Sequence, residues 1–366
     1  MKKRRISSLK IAGSIGIPLA MLLAAFLFTS ILMLIVGGNP LVAFSAMFKG
    51  AFGGRTQIIQ MIQRAVPIAI CGFAVAFSSK GGLFNIGVEG QVLMGALGST
   101  IAGVYFAGLP AWLHLPISLL TGMAFGMIWS LIPAVLLAER KVVFVVSSLF
   151  MNLIASNVIQ YFIFGPMKGE GVTQPSTERI AETAELPNII SSPKLSYAFV
   201  LLFLVAVVYH IYIRRTYSGY ELRVTGGNAQ AARFAGISTR KYIYIAILVA
   251  GALGGMAGSV EIQGRYYRLI DGFSPGYGWD ALPIALLSGG NPVGICLASI
   301  LFGAMYTGAS AMQIEAGISS VIINVIQGFL IISISMEKLL RFLLLRRSVE
   351  RKKASRQSDH GEEATG

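Results

Sequence analysis

Apolar runs long enough to cross a bilayer alternate along this chain with short segments rich in Gly, Pro and basic residues. A hydrocarbon core about 30 Å thick takes a helix of roughly 20 apolar residues. Such runs predict ten helices, at about 15–36, 58–77, 92–106, 115–138, 142–164, 195–213, 243–262, 281–288, 293–311 and 318–334. The run at 15–36 follows Met1-Lys2-Lys3-Arg4-Arg5 and exceeds the roughly 7 to 15 residues of a signal-peptide core, so it reads as an uncleaved first helix. The segment 281–288 is too short to span alone, and 92–106 needs the Gly-rich residues before it. The expected fold is an all-α polytopic membrane protein of about ten transmembrane helices, two of them broken.

Unpaired backbone at membrane depth is tolerated only where protein or a watery cavity surrounds it. Two segments have that character. Residues 80–91 bring Gly81, Gly82, Asn85, Gly87, Glu89, Gly90 and Gln91 to the mouth of the third helix, and residues 271–280 bring Gly272, Pro275, Gly276, Gly278, Trp279 and Asp280 to the short eighth. Each follows a fuller helix and precedes a short one, from opposite sides of the bilayer. That suggests an inverted repeat, helices two to five against seven to ten; two flexible interfacial turns are the plainer alternative. Glu89 and Asp280 could bind a proton or cation, hold a loop, or cap a half-helix; their position just before short helices favours capping.

Helix 142–164 carries Ser148, Asn152, Ser156 and Gln160 at successive i, i+4 spacing with Asn157 alongside, a stripe expected to face a path, a solute or other helices rather than lipid. Gly251, Gly254, Gly255 and Gly258 in helix 243–262 form overlapping small-xxx-small pairs, which allow helices to approach closely.

Composition agrees: of 366 residues 55% are hydrophobic and 13% charged, with a mean hydropathy of +0.70. A formal charge of +14 would suggest nucleic acid in a soluble protein. Here the cations gather at the N-terminal tail, Lys80, Arg140-Lys141, the loop 214–241 and the tail from Lys338, so the positive-inside rule suffices and orients both termini to the cytoplasm. The organisation read from this is a cytoplasmic tail (1–14), one transmembrane domain (15–347) and a cytoplasmic polar tail (348–366). The loop 166–194, with Glu170, Glu178, Glu182 and Glu185 and with Pro175, Pro187 and Pro193 interrupting any helix, suits an aqueous exterior. Cys71 and Cys296 read as packing residues, and His114, His210 and His360 lack metal-spaced partners, so no metal site is expected.

No G-x-x-x-x-G-K-[ST], H-E-x-x-H or G-x-S-x-G motif occurs, so the chain reads as a transport body without an enzyme site. In the loop 214–241, Asn228 is placed to N-cap a short helix and Gly236 to end it, leaving Ala231, Phe234 and Ile237 available to a partner.

The stretch from Gly226 to Ile237, Gly-x-Asn-x-x-Ala-Ala-Arg-Phe-Ala-Gly-Ile, resembles the coupling segment of permeases in the ribose, branched-chain amino acid and nucleoside family of ATP-binding-cassette (ABC) importers. Gly82 to Gln91 resembles that family's broken helix, especially in the nucleoside-uptake branch. Gly278 to Pro292 is also similar, although Pro283 and Ser288 depart from the commoner form. The resemblance implies a type II-importer-like permease that pairs with a second, usually unlike permease subunit. A cytoplasmic ABC ATPase consuming ATP and Mg, and an extracellular substrate-binding lipoprotein, would complete the system in a bacterial inner membrane. This chain would bind no cofactor itself. Gly226, Asn228, Ala231, Ala232, Arg233 and Gly236 would couple to the ATPase; Asn85, Glu89, Gln91, Ser148, Asn152, Ser156, Gln160, Trp279 and Asp280 would border the path. The solute is expected to be small, neutral and polar, with Phe84, Tyr277 and Trp279 tilting the reading towards a nucleoside over a sugar. An ion-coupled secondary transporter or channel using Glu89 or Asp280, and a non-transporting scaffold, are the competing classes.

Overall fold

A computed structural model describes residues 23, 26–35, 37–170, 174–317, 319, 325 and 328. All but residues 319, 325 and 328 of the expected helix 318–334, and both tails, lie outside the described residues. The chain divides into two compact units, one taking the described residues up to Phe44 and from Met312 onward, the other Ser45–Ala311. In the first unit α1 (Phe26–Ile35) carries the edge-on ring contact of Phe26 with Phe44 at 5.1 Å.

Next along the chain comes α2 (Pro40–Phe52), which the run of apolar segments does not predict. Its start has a clear local cause: Asn39 Oδ1 accepts from the N–H groups of Leu41 and Val42, and Pro40 takes the first helical position, where its missing donor costs nothing. Further along lie α3 (Arg55–Lys80), α4 (Val88–Tyr105), α5 (Ala111–Arg140), α6 (Phe144–Phe164), α7 (Ala198–Arg215), α8 (Tyr217–Gly227), α9 (Ala229–Phe234), α10 (Thr239–Glu261), α11 (Tyr277–Ser288) and α12 (Pro292–Ala316). A π-helical turn, Ile262–Tyr266, extends α10. Among the described residues six helices are long and apolar enough to cross a membrane, or seven if α1 and α2 count as one bent span. Neither α4 nor α11 is among the six. At 1.5 Å per residue the 12 residues of α11 reach only about 18 Å, roughly half a bilayer.

The core of the larger unit is built on glycine. A Cβ on Gly95 would lie 2.2 Å from Gly255 Cα, and one on Gly255 would lie 2.3 Å from the Gly122 carbonyl oxygen. Backbones of α4, α5 and α10 therefore touch directly, as the small-residue spacing predicts. Around this seam α10 packs on α3, α4 and α5, while α3 packs on α11 and α7.

The described residues of loop 166–194 form a cap packed on the helices. Strands β1 (Asn188–Ser191) and β2 (Lys194–Ser196) pair antiparallel, and Ile180, Ala184 and Leu186 are buried. Gln263 Nε2 donates to the carbonyls of Ala184 and Leu115, both at 3.1 Å. His114 is a satisfied core histidine, with its ring nitrogens 2.7 Å from Thr183 Oγ1 and 3.0 Å from the Ala102 carbonyl.

Candidate functional site

The two interrupted segments converge inside the larger unit. Both half-helices begin after a glycine that has no side chain to cap them, Gly87 and Gly276, although Ser274 Oγ accepts from Gly276 N and Tyr277 N at 3.3 and 3.4 Å. Exposed N–H groups at a buried helix start need acceptors, and here each start takes one from another helix. Asn152 of α6 accepts at Oδ1 from Gly90 N (2.8 Å) and donates through Nδ2 to the Ile86 carbonyl (2.9 Å). Glu89 of α4 accepts at Oε2 from Gly278 N of α11 (2.7 Å) and at Oε1 from Ser274 Oγ (2.6 Å). Such contact requires glycine at 278, because a Cβ there would lie 2.2 Å from Glu89 N. A carboxylate at that point also meets the positive end of the α11 dipole. Asp280, one turn into α11, is buried and accepts at Oδ2 from Tyr306 Oη at 2.7 Å.

Next to this junction lies a polar cavity of about 170 Å³ lined by Arg64, Arg265, Tyr266, Phe273, Tyr277 and Tyr306, together with Gly272 and Pro275. Arg265 Nη1 contacts Glu261 Oε2 at 3.3 Å and donates to Tyr277 Oη at 3.1 Å. Arg64 Nη1 donates to the Tyr306 carbonyl at 3.0 Å. None of Arg64, Glu261 and Arg265 is anticipated by the sequence reading, although Glu261 and Arg265 stand at the i, i+4 spacing of a helical ion pair. A larger cavity of about 650 Å³, walled by Met94, Phe125, Ile128, Trp129, Leu131 and their neighbours, offers no free hydrogen-bonding group, since the Trp129 N–H is already donated to the Met151 carbonyl. It suits lipid or another helix better than a polar solute.

The other residues expected on the path separate. Asn85 and Gln91 are buried, and Asn85 Nδ2 and Gln91 Oε1 have no hydrogen-bond partner. Ser148 and Asn152 are buried, while Ser156, Asn157 and Gln160 are exposed. The stripe divides because i, i+4 steps drift about 40° each, carrying Gln160 some 120° round from Ser148. Trp279 is 42% exposed.

In the expected coupling segment, Asn228 Oδ1 accepts from Gln230 N and Ala231 N, both at 3.0 Å. Gly236 ends the helix in the left-handed region at φ +78, a conformation that favours glycine. Ala232 is buried and Arg233 Nε donates to Thr239 Oγ1 at 3.2 Å. Phe234 is 94% exposed and Ala231 is exposed, but Ile237 is buried in the core and is not offered to a partner. Gly226, at the end of α8, lies against residues 80–82, where a Cβ would sit 2.2 Å from the Lys80 carbonyl oxygen. This segment thus rests on the backbone that leads into α4. Among the described residues no group of three metal-ligating side chains occurs.

Residues 57–340 match the family described as branched-chain amino acid transport system / permease component. This chain belongs to that permease family. The guanosine ABC transporter permease NupP of Bacillus subtilis is 34% identical over 334 residues, covering 90% of this chain and 95% of the relative. A glucose ABC transporter permease of Haloferax volcanii is 32% identical over 327 residues, 87% and 86% of the two chains. The nucleoside ABC transporter permease NupB of Lactococcus lactis is 28% identical over 337 residues, 90% and 92%. Family and apolar helices together make this permease a multi-pass membrane protein.

Proposed function

We propose that this permease forms half of the solute path of an ABC importer for nucleosides, with ATP and Mg consumed by a separate cytoplasmic ATPase. The observation that carries the coupling half of this reading is α9: a capped helix held by buried Ala232 that leaves Phe234 94% exposed. A large aromatic displayed on a six-residue helix fits a socket on another protein. Gly226, Asn228, Ala231, Ala232, Arg233 and Gly236 form and hold this knob. The contact of Gly226 with residues 80–82 gives movement of the knob a route to Glu89 and the α4–α11 junction.

The path is assigned to that junction and the polar cavity beside it. At about 170 Å³ the cavity falls below the roughly 300 Å³ at which ligand pockets begin, which supports completion of the path by a second permease. The tyrosines and Phe273 offer stacking faces, and Arg64, Arg265, Asn85 and Gln91 offer hydrogen bonds, a set suited to a base and its ribose. The names of the guanosine and nucleoside relatives favour the same solute class. The glucose relative at 32% identity keeps a sugar as the second reading.

The packing of α3 on α11 and of α10 on α4 supports an inverted repeat in a ten-span body, the two half-helices exchanged between the two long ones. The basic segments favour N- and C-termini in the cytoplasm of a bacterial inner membrane, one transmembrane domain over 15–347, and an extracellular lipoprotein delivering solute at the 166–194 cap. The deciding experiment is uptake of labelled guanosine by vesicles containing this chain, its partner permease and the ATPase. ATP-dependent uptake blocked by excess nucleoside but not by glucose is expected. Uptake driven by a proton gradient without ATP would overturn the importer reading.

A further inference from the structure

A second polar cavity, of about 230 Å³, opens where the ends of α3, α7 and α8 meet the turn between α11 and α12. Its wall includes Lys80, His210, Arg214, Arg223, Gly290 and Asn291, with no carboxylate among the lining residues. Among the described residues none of the three cations is in an ion pair. Lys80, Arg214 and Arg223 share this one hollow, where like charges repel, so gathering them here is unfavourable without an anion. The concavity itself is held in place: Lys80 Nζ donates to the Gly289 carbonyl and Tyr209 Oη to the Gly290 carbonyl, each at 3.0 Å. A Cβ on Gly290 would lie 2.9 Å from Lys80 Nζ, so the bare backbone leaves room for the ammonium. Asn291 and Pro292 place the start of α12 on the same wall, which adds the positive end of a 25-residue helix.

We propose that this cavity binds a phosphate group, carried by an anionic phospholipid headgroup or by a soluble phosphate ester. Three cations and a helix start match the several acceptor oxygens and the charge of a phosphate. The volume suits a headgroup or small ester. One turn back from the cavity on α7, Val207 and Ile211 are 39% and 49% exposed, and on α12 Val293 and Leu297 are 66% and 63% exposed, surfaces on which acyl chains would lie. Cations that only obey the positive-inside rule need no shared hollow. The inference stands whether or not the importer reading holds, since it rests on this cavity alone.

The test uses the full chain purified in detergent and titrated with short-chain phosphatidylglycerol, short-chain phosphatidylcholine and inorganic phosphate, with binding read by native mass spectrometry. Arg214→Gln/Arg223→Gln removes two exposed cations and leaves Lys80 at its carbonyl; Arg140→Gln/Lys141→Gln removes the same charge elsewhere. Phosphatidylglycerol is expected to bind more tightly than phosphatidylcholine, and the cavity variant to lose about tenfold or more in affinity. The control variant should bind as the parent does. Displacement of phosphatidylglycerol by inorganic phosphate would support the site and name the soluble source, whereas resistance to displacement would support it and name the lipid. Equal binding by cavity and control variants, or no preference for phosphatidylglycerol or phosphate in the parent, would overturn the proposal. A thermal melt of each variant separates loss of binding from loss of fold.

Discussion

Glu89, in the first turn of α4, caps α11 by accepting the N–H of Gly278 at 2.7 Å, so one carboxylate joins the starts of two half-helices. Its second oxygen holds Ser274 in the segment leading to α11. The arrangement makes Glu89 a structural cap, and a test distinguishes that role from proton transfer. Glu89→Gln keeps an acceptor for Gly278 and a polar partner for Ser274, and should retain most ATP-driven uptake. Glu89→Ala strands both donors and should cost about 2–4 kcal/mol, read as a fall in melting temperature, with uptake lost. Abolished uptake in a fully stable Glu89→Gln variant would count against capping.

The glycine seam gives a second prediction. A Cβ at Gly255 would meet the Gly122 carbonyl at 2.3 Å and Met123 Cα at 3.0 Å, both backbone, so α5 and α10 must separate. Gly255→Ala is therefore expected to destabilise by about 1–3 kcal/mol. Gly227→Ala, which meets nothing within 4 Å, should leave the melting temperature unchanged.

Breaking the pair beside the polar cavity should also be costly. Glu261→Gln leaves the Arg265 guanidinium without its carboxylate. The expected loss is about 2–4 kcal/mol, tempered because the Arg265 side chain keeps 25% exposure. Adding Arg265→Gln should recover part of it in a double-mutant cycle; additive losses would show the two groups to be independent.

Phe234 provides the cleanest separation of fold from function. With 94% of its surface exposed, Phe234→Ala should change stability by less than about 0.5 kcal/mol. Uptake and solute-stimulated ATP hydrolysis in the reconstituted system should fall severalfold. Undiminished coupling would remove α9 as the transmission element.

Long apolar runs are legible in the sequence, and α3 to α7 and α10 to α12 follow them closely: the run at 58–77 lies inside Arg55–Lys80, and that at 142–164 almost coincides with Phe144–Phe164, whereas α8 lies in a loop where no run predicts a helix. Helix α9 is equally plain, because Asn228 and Gly236 are local signals that need no tertiary context. Both half-helices start four residues before their apolar runs, at Val88 and Tyr277. Glu89, Gly90, Gln91 and Asp280 look like loop by hydropathy, yet they are helical and buried, since Asn152 of α6 satisfies the start of α4 and Glu89 of α4 that of α11. No single-segment pattern carries that information. Asn152 shows the same limit: its place in a polar stripe is visible in the sequence, but its use as a cap for α4 depends on α6 lying beside Gly90. The case of α2 is different, because Asn39-Pro40 is a start signal in its own right, hidden only by the longer runs on either side.

One helix touches nearly every feature described. Arg233 on α9 is bonded to Thr239, the first residue of α10, and at the other end of that helix Gln263 grips the carbonyls of Leu115 and Ala184 under the 166–194 cap. Its 23 residues amount to about 35 Å of continuous helix, a stiff link between the α9 knob and the 166–194 cap. At its end the π turn Ile262–Tyr266 carries Arg265 and Tyr266 to the wall of the polar cavity. A shift of α10 would therefore reach that wall within five residues.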